Sequence, residues 1–204
     1  MKNNTPLHLS SHLPSLWRGW GWAPEGWSSL FLLLPFFLFT SCDKADNTYT
    51  TRAVSFTFSP TTSVPMLHSA LNNMGEYVTV RVSGGRFLFH SLGGDTTWPM
   101  TEIDRRTIRM GLSGFIIGLP TMPELGQTFS RPVCYELSCP NCYDEHHITR
   151  DLTLMHDGRD SCGLCHRIYD PNNQGIISSG ADGKKLDRYH ITYSGSVTNA
   201  VSVY

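Results

Sequence analysis

Four of the six cysteines in this 204-residue chain stand in two Cys-x-x-Cys pairs. The pairs are Cys139 with Cys142 and Cys162 with Cys165, and nineteen residues separate them. A two-residue spacer allows one tight turn to direct both sulfurs to the same side, and two such turns can face each other around a single ion. Because Zn²⁺ accepts four thiolates tetrahedrally, at about 2.3 Å each, the spacing predicts a metal site formed by these four residues.

Other residues capable of chemistry lie between the two pairs. Asp144, Glu145, His146 and His147 form a polar cluster there. They could assist the metal ligands or serve as alternative ligands, but such a cluster is more often a solvated loop. His156 is interpreted in the same way.

The chain gives little indication of catalysis or of polyanion binding. Its formal net charge is −1, so nothing favours a nucleic-acid partner. We find no Ser-His-Asp or Cys-His order with supporting context, no phosphate-cradling loop and no convincing pair of catalytic carboxylates. We therefore expect neither an enzyme nor a small-molecule substrate, although an electron carrier stays possible.

The N-terminal segment carries a short apolar run. Residues 30–39 (LFLLLPFFLF) are about half the length that a membrane span needs. Lys2 and Arg18 precede the run, as positive charges precede the hydrophobic region of a secretory signal. The alternative is a buried hydrophobic helix in a cytosolic protein.

The residues that follow the run are Phe39-Thr40-Ser41-Cys42. They resemble a bacterial lipoprotein signal, in which the cysteine becomes the lipidated first residue of the mature protein. The resemblance implies a signal peptide over residues 1–41, a lipidated tether over 42–52 and a membrane-anchored location in the bacterial cell envelope. A folded domain would then occupy residues 53–204.

The rest of the chain reads as short strands separated by turns. Val54, Phe56 and Phe58 alternate with polar residues, which predicts a strand with one buried face. Further strands are predicted at 77–82 and 86–90 as a hairpin, at 114–119, 133–137 and 152–154, around 168–169, and at 188–193 with 197–203 as a second hairpin. Residues 65–74 favour a short helix and residues 93–106 a polar excursion. Cys134 falls in the strand at 133–137 and is predicted to be a small buried residue.

The C-terminal half contains Cys162-Gly-Leu-Cys165-His166-Arg-Ile-Tyr169-Asp170 with the later Gly175, Gly180, Leu186 and Tyr189, and before them Tyr135-Glu-Leu-Ser-Cys139. This pattern resembles that of a Rieske-type ferredoxin domain. It covers about residues 133–193, and the upstream strands are similar to lipoproteins of Bacteroides-like bacteria with degenerate Rieske domains. It implies an antiparallel β-sandwich or barrel that carries a small rubredoxin- or zinc-ribbon-like subdomain with two metal-binding knuckles, at about 133–190.

The departures from that family concern its two histidine ligands. A Rieske [2Fe–2S] centre uses two cysteines and two histidines. Asn141 and Cys165 stand where the family has its histidines. Cys139 and Cys162 therefore carry over as family ligands, and Cys142 and Cys165 only as substitutes, so an ordinary Rieske centre is not expected.

Several occupants of the four-cysteine site stay open. One structural Zn²⁺ is the first, in an envelope interaction module with a protein partner. An all-cysteine [2Fe–2S] cluster in an electron carrier is the second. Two disulfides without metal are the third, because an exported domain meets an oxidising compartment. Covalent haem at Cys162-x-x-Cys165-His166 is a weaker alternative, since it leaves Cys139 and Cys142 without a role.

Overall fold

The computed structural model describes residues 48–195 and 198–204. The predicted signal peptide, Cys42 and the first part of the predicted tether lie outside the described residues. Within the described ranges, no helix has the length and apolar character needed to cross a membrane.

Short antiparallel strands make up most of the described chain. The strands are β1 (Phe56–Phe58), β2 (Tyr77–Ser83), β3 (Arg86–Ser91), β4 (Gly94–Pro99), β5 (Phe115–Gly118), β6 (Val133–Glu136), β7 (Leu152–Leu154), β8 (Asp160–Cys162), β9 (Ile168–Asp170), β10 (Ile176–Ser179), β11 (Arg188–Tyr189), β12 (Ile191–Ser194) and β13 (Ala200–Val203). The helices are α1 (Pro65–Asn72), α2 (Glu102–Thr107) and α3 (Pro140–His146), and two 3₁₀ turns occupy Thr61–Ser63 and Pro171–Asn173. The predicted β-rich fold class is confirmed.

A six-stranded sheet in the order β11-β6-β5-β2-β3-β4 is the centre of the fold. The predicted hairpin of β2 and β3 is present, with Ser83 paired to Arg86. Gly84 and Gly85 form its two-residue turn with φ of +56° and +71°. This turn requires positive φ at both positions, which glycine adopts without steric cost.

One face of the six-stranded sheet packs against the small sheet β1-β13-β12 and against α1. The alternating Phe56 and Phe58 of β1 are buried there, as predicted, and Phe56 meets Phe87 edge to face at 5.7 Å between ring centroids. Leu67 and Leu71 of α1 are buried in the same cluster. We call this cluster the first core.

The opposite face of the sheet carries the second core. A four-stranded sheet, β10-β9-β8-β7, packs there, and the cysteine pairs belong to this cluster. Successive side chains of a strand point to opposite faces. Phe115 and Ile117 of β5 therefore enter the first core, while Ile116 enters the second. This explains why the apolar run predicted at 114–119 is buried on both faces.

Some elements differ from the sequence-based prediction. The predicted polar excursion at 93–106 contains β4 and most of α2. The strands β8 and β10 lie in stretches for which no strand was predicted. The first knuckle, the turn that carries Cys139 and Cys142, continues into α3 rather than ending as a tight turn. These elements are short and largely polar, so apolar periodicity gives no signal for them.

Candidate metal centre

The four sulfurs of the two Cys-x-x-Cys pairs converge at one point beside the second core. All four Sγ atoms lie within 4.8 Å of one another. The closest contacts run between the pairs, at 3.6 Å from Cys139 to Cys165 and 3.5 Å from Cys142 to Cys162. Ligands about 2.3 Å from one tetrahedral ion are separated by about 3.8 Å. The predicted convergence of the two segments is confirmed, and its dimensions fit one ion.

The sulfurs are free thiols rather than disulfides. All four cysteines are unpaired in the structure. The shortest Sγ–Sγ distances, 3.5 and 3.6 Å, are far longer than the roughly 2.0 Å of a disulfide bond. Three of the cysteines are buried, whereas Cys165 is half-buried at the rim. Among the described residues, no other group of three or more metal-ligating side chains is placed to hold an ion.

The first knuckle forms where β6 runs into α3. Cys139 is extended, with φ −60° and ψ 117°, and Pro140 begins the helix behind it. Proline suits the first helical position because its missing N–H would have no intrahelical partner there. The helix places Cys142 in its first turn, and the Cys142 N–H donates to the sulfur of Cys139. The Cys-Pro-x-Cys sequence therefore specifies the knuckle locally.

The second knuckle connects β8 to β9. The Cys162 N–H donates to the Arg167 carbonyl at 3.0 Å, and the His166 N–H donates back to the Cys162 carbonyl at 3.0 Å. His166 closes this turn with φ +59°. The Arg167 backbone N–H and guanidinium both donate to the Cys165 sulfur. Each knuckle thus supplies a backbone N–H to a sulfur, which stabilises a thiolate.

The electrostatic environment differs among the thiols. Burial raises the pKa of Cys139 and of Cys142. Burial also raises the pKa of Cys165, but the hydrogen bonds from Arg167 outweigh that effect and lower the pKa to about 7. Metal ligation requires thiolates, so an ion that binds here displaces protons from the buried thiols.

Asn141, which the Rieske resemblance aligns with a histidine ligand, connects the first knuckle to the segment around residue 184. Its amide nitrogen donates to the Tyr169 hydroxyl at 2.8 Å and to the Lys184 carbonyl at 2.7 Å. Its amide oxygen accepts from the Lys184 N–H at 2.8 Å. The Tyr169 hydroxyl oxygen also lies 3.2 Å from the Cys139 sulfur. Asn141 therefore positions the loop at 180–187, between β10 and β11, instead of joining the cluster.

Arg167 holds the same loop from the second knuckle. Its guanidinium donates to the carbonyls of Ala181 and Asp182, both at 3.0 Å, and to the Glu145 carboxylate at 2.8 Å. The side chain is 8% exposed. Glu145 thus anchors Arg167. The adjacent His146 and His147, which the sequence suggested as possible ligands, are exposed and lie outside the sulfur cluster. His156 is also exposed and lies outside it.

Glu136 is a buried residue that sequence reasoning did not identify. It is 1% exposed and ends β6 three residues before Cys139. One carboxylate oxygen accepts from the Leu112 N–H at 2.8 Å and from the Tyr189 hydroxyl at 2.7 Å. The other accepts from the Ser138 N–H at 3.3 Å, directly before the knuckle. Glu136 therefore fixes the entry to the site, and no local sequence signal reveals these distant donors.

Asp160 of β8 is a second buried acid that the sequence does not reveal. It is fully buried, and neither carboxyl oxygen has a hydrogen-bond partner among the described residues. Burial, followed by repulsion from Asp170, raises its pKa well above the ordinary value. Burial therefore favours the protonated form of this carboxyl group in the folded protein.

Two further cysteine predictions have different outcomes. Cys134 is fully buried in the first core, as predicted for a small apolar residue. The predicted lipidation site at Cys42 lies outside the described residues.

The chain matches no protein-family model, no curated protein and no solved structure. The Rieske resemblance therefore depends on the motif residues alone and stays a hypothesis. The coarser statement holds: the fold is mostly antiparallel β, with a cysteine cluster built from two segments.

Proposed function

We propose that this chain is an exported lipoprotein whose β domain holds one structural zinc ion and acts as an interaction module in the bacterial cell envelope. The observation that carries the metal assignment is the convergence of four sulfurs within 4.8 Å, three of them buried. Four thiolates complete a tetrahedral shell around zinc. Such a closed site has no open position for water or substrate, which supports a structural rather than a catalytic role.

Cys139, Cys142, Cys162 and Cys165 would hold the ion, and the ion would supply folding free energy. The four-stranded sheet consists of strands only three or four residues long. Strands this short are marginal without additional cross-links. A zinc ion would join the segment after β6 to the turn between β8 and β9. Apparent binding free energies in small zinc peptides reach about 10 kcal/mol, which is comparable with the stability of a whole domain.

The compactness of the cluster favours one ion over an iron–sulfur cluster. A [2Fe–2S] centre places two irons and two sulfides between its pairs of thiolates, which separates those pairs further than one ion does. The four sulfurs here already approach one another across the pairs at 3.5 and 3.6 Å. This spacing supports a single ion as the occupant.

An electron carrier is the second candidate. It is favoured by the position of the site, because Cys165 is only half-buried and the neighbouring Leu164 is 46% exposed. A redox centre near the surface is accessible to a partner. Covalent haem has less support, since both cysteines of its motif face the other pair and His166 is exposed outside the cluster.

Elemental analysis with an absorption spectrum of the aerobically purified full chain tests the metal assignment. The proposal predicts a colourless protein with about one zinc per chain, as for a single closed site. Visible absorption with about two irons per chain would overturn it in favour of the electron carrier. A covalent mass increment with a sharp haem band would indicate the cytochrome alternative.

The envelope location is tested separately from the metal. The proposal predicts that Cys42 carries a lipid in the membrane fraction and that Cys42→Ser abolishes the lipid mass increment. Cys134→Ser is the matched control, because it also removes a cysteine outside the two pairs. A chain with unmodified Cys42 in the soluble fraction would contradict the lipoprotein assignment but would leave the zinc site untouched.

A further inference from the structure

One loop exposes large apolar side chains to an unusual degree. Between β5 and β6, Met122 is 71% exposed, Leu125 is 100% exposed and Phe129 is 77% exposed. Glu124 is the only charged residue in residues 120–130, and its carboxylate is paired with Arg188. Clusters of exposed apolar groups mark surfaces that contact a protein or a membrane.

The loop is built so that Leu125 stands at its tip. The Gln127 N–H donates to the Glu124 carbonyl at 2.9 Å, which closes a tight turn around Leu125 and Gly126. Gly126 has φ +84°, a value that favours glycine. The Gln127 side chain also donates to the Glu124 carboxylate at 3.3 Å. Because the turn is fixed at its base, the exposure of Leu125 follows from the backbone.

The base of this loop adjoins the start of the described chain. The Arg188 guanidinium that pairs with Glu124 lies 5.2 Å from the centre of the Tyr49 ring. The Thr50 N–H also donates to the Arg188 carbonyl at 2.9 Å. Tyr49 stacks on His190 with 3.8 Å between ring centroids. The chain that arrives from the N-terminal segment is therefore held beside the loop.

The length of the tether limits how far this corner can lie from the bilayer. Tyr49 is seven positions after Cys42, and an extended chain of seven residues spans at most about 25 Å. We infer, on the basis of the proposed lipid anchor, that the apolar loop at 120–130 contacts the lipid surface directly. Met122, Leu125 and Phe129 would enter the boundary between headgroups and acyl chains.

The surroundings of the loop agree with a lipid partner. The exposed Arg131 follows Phe129 by two residues and can meet anionic headgroups. The loop and the first knuckle leave β6 from opposite ends, since Val133 follows the loop and Glu136 precedes the knuckle. Contact at the loop would therefore leave the cysteine cluster at the end of β6 that is farther from the bilayer.

Photo-crosslinking in membranes tests this contact. Leu125 is replaced by the crosslinker benzoylphenylalanine in the full chain, produced in a bacterial host that lipidates such signals. The control has the same replacement at Ile103 of α2, which is 72% exposed. Ile103 and the loop lie near opposite ends of β2. Met100, just before α2, donates its N–H to the Gly85 carbonyl in the β2–β3 turn, at the end of β2. The loop follows Gly118, which pairs with Tyr77 at the start of β2.

The proposal predicts adducts of lipid mass when the crosslinker is at position 125 and no such adducts when it is at position 103. Lipid adducts at 125 support it whether or not Cys42 carries a lipid. Adducts to protein alone at 125 would overturn it and would indicate a protein-binding face. An absence of adducts at 125 in a chain with lipidated Cys42 would also overturn it while the anchor stands, and the same absence with unmodified Cys42 would reject both.

Discussion

At the scale of single residues, substitutions at two buried cysteines can distinguish the stability that comes from metal ligation from the stability that comes from burial alone. Cys162 is 2% exposed in the cluster, and Cys134 is fully buried in the first core. We expect Cys162→Ser to abolish metal binding and to lower the unfolding free energy by more than about 4 kcal/mol, a loss typical of a removed metal site. Cys139→Ser should behave in the same way.

The matched control for this prediction is Cys134→Ser, which makes the same chemical change at an equally buried position. It should retain the metal and lose only about 1–3 kcal/mol for the buried hydroxyl. Metal content and denaturant unfolding of the two variants provide the comparison. Equal unfolding midpoints for Cys162→Ser and the wild type would show that the cluster does not stabilise the fold.

Asp160 predicts a pH dependence of stability. Its pKa is raised in the folded protein, so the folded state retains a proton that the unfolded chain releases above about pH 4. The unfolding free energy therefore falls as the pH rises, by up to about 1.4 kcal/mol per pH unit, until the folded carboxyl ionises. We expect Asp160→Asn to be more stable than the wild type at pH 7.

The measurement is urea unfolding of the metal-loaded protein between pH 5 and 8. Asp157→Asn is the control, because Asp157 is exposed and its pKa is lowered by Arg159. The wild type and this control should lose stability across the range more steeply than Asp160→Asn. Parallel curves for all three proteins would mean that Asp160 has a partner in solution.

At the scale of elements, the loop at 180–187 depends on a close approach at Gly183. A Cβ added there would lie 2.2 Å from the Asn141 amide oxygen. We expect Gly183→Ala to displace the loop, break the bond from the Lys184 N–H, and lower the unfolding free energy by about 1–3 kcal/mol. Urea unfolding of the metal-loaded protein checks this.

Gly93→Ala is the control for this substitution, because its new Cβ would meet nothing closer than 3.7 Å, at the Ser91 hydroxyl. Like Gly183, this glycine does not have positive φ. The control should change stability by less than about 0.5 kcal/mol. Equal effects of the two alanines would indicate that the contact with Asn141 is not limiting.

The elements also show what a sequence can predict about this fold. The strand β1 and the helix α1 were predictable, because each has apolar residues at the period of a buried face. The run that becomes β5 was predictable because it is short, continuously apolar and bounded by Gly and Pro. β4 was not, because it is an edge strand with almost every residue exposed. α2 has six residues without a buried face, and the only local signal for it is a capping box between Thr101 and Asp104 that specifies its start.

The candidate metal centre, like the fold, could be predicted from the sequence only in part. Its ligand set could be predicted because the two Cys-x-x-Cys spacings are local and specific. Glu136, Asn141 and Arg167 could not be assigned their positioning roles. Their partners include Ala181, 14 residues from Arg167, and Tyr189, 53 residues from Glu136, and only the fold brings such residues together.

At the scale of the whole molecule, the two cores share one sheet but should depend differently on the metal. The second core includes Cys139, Cys142 and Cys162, whereas the first is built from phenylalanine and aliphatic side chains on the other face. We expect a chelator to increase hydrogen exchange mainly in residues 139–187, while β2, β3 and β5 stay protected. A uniform increase throughout the described chain would show a single cooperative unit, and no increase would contradict a structural metal.

X-ray absorption spectroscopy of the purified full chain tests the central claim most directly, because it reports the ligands and their distances from the metal. The four-sulfur convergence within 4.8 Å predicts a zinc edge with four sulfur scatterers at about 2.3 Å and no neighbouring metal. A metal–metal scattering path would instead indicate a cluster. Fewer than four sulfurs, or nitrogen and oxygen ligands in their place, would contradict a closed site formed by the two cysteine pairs.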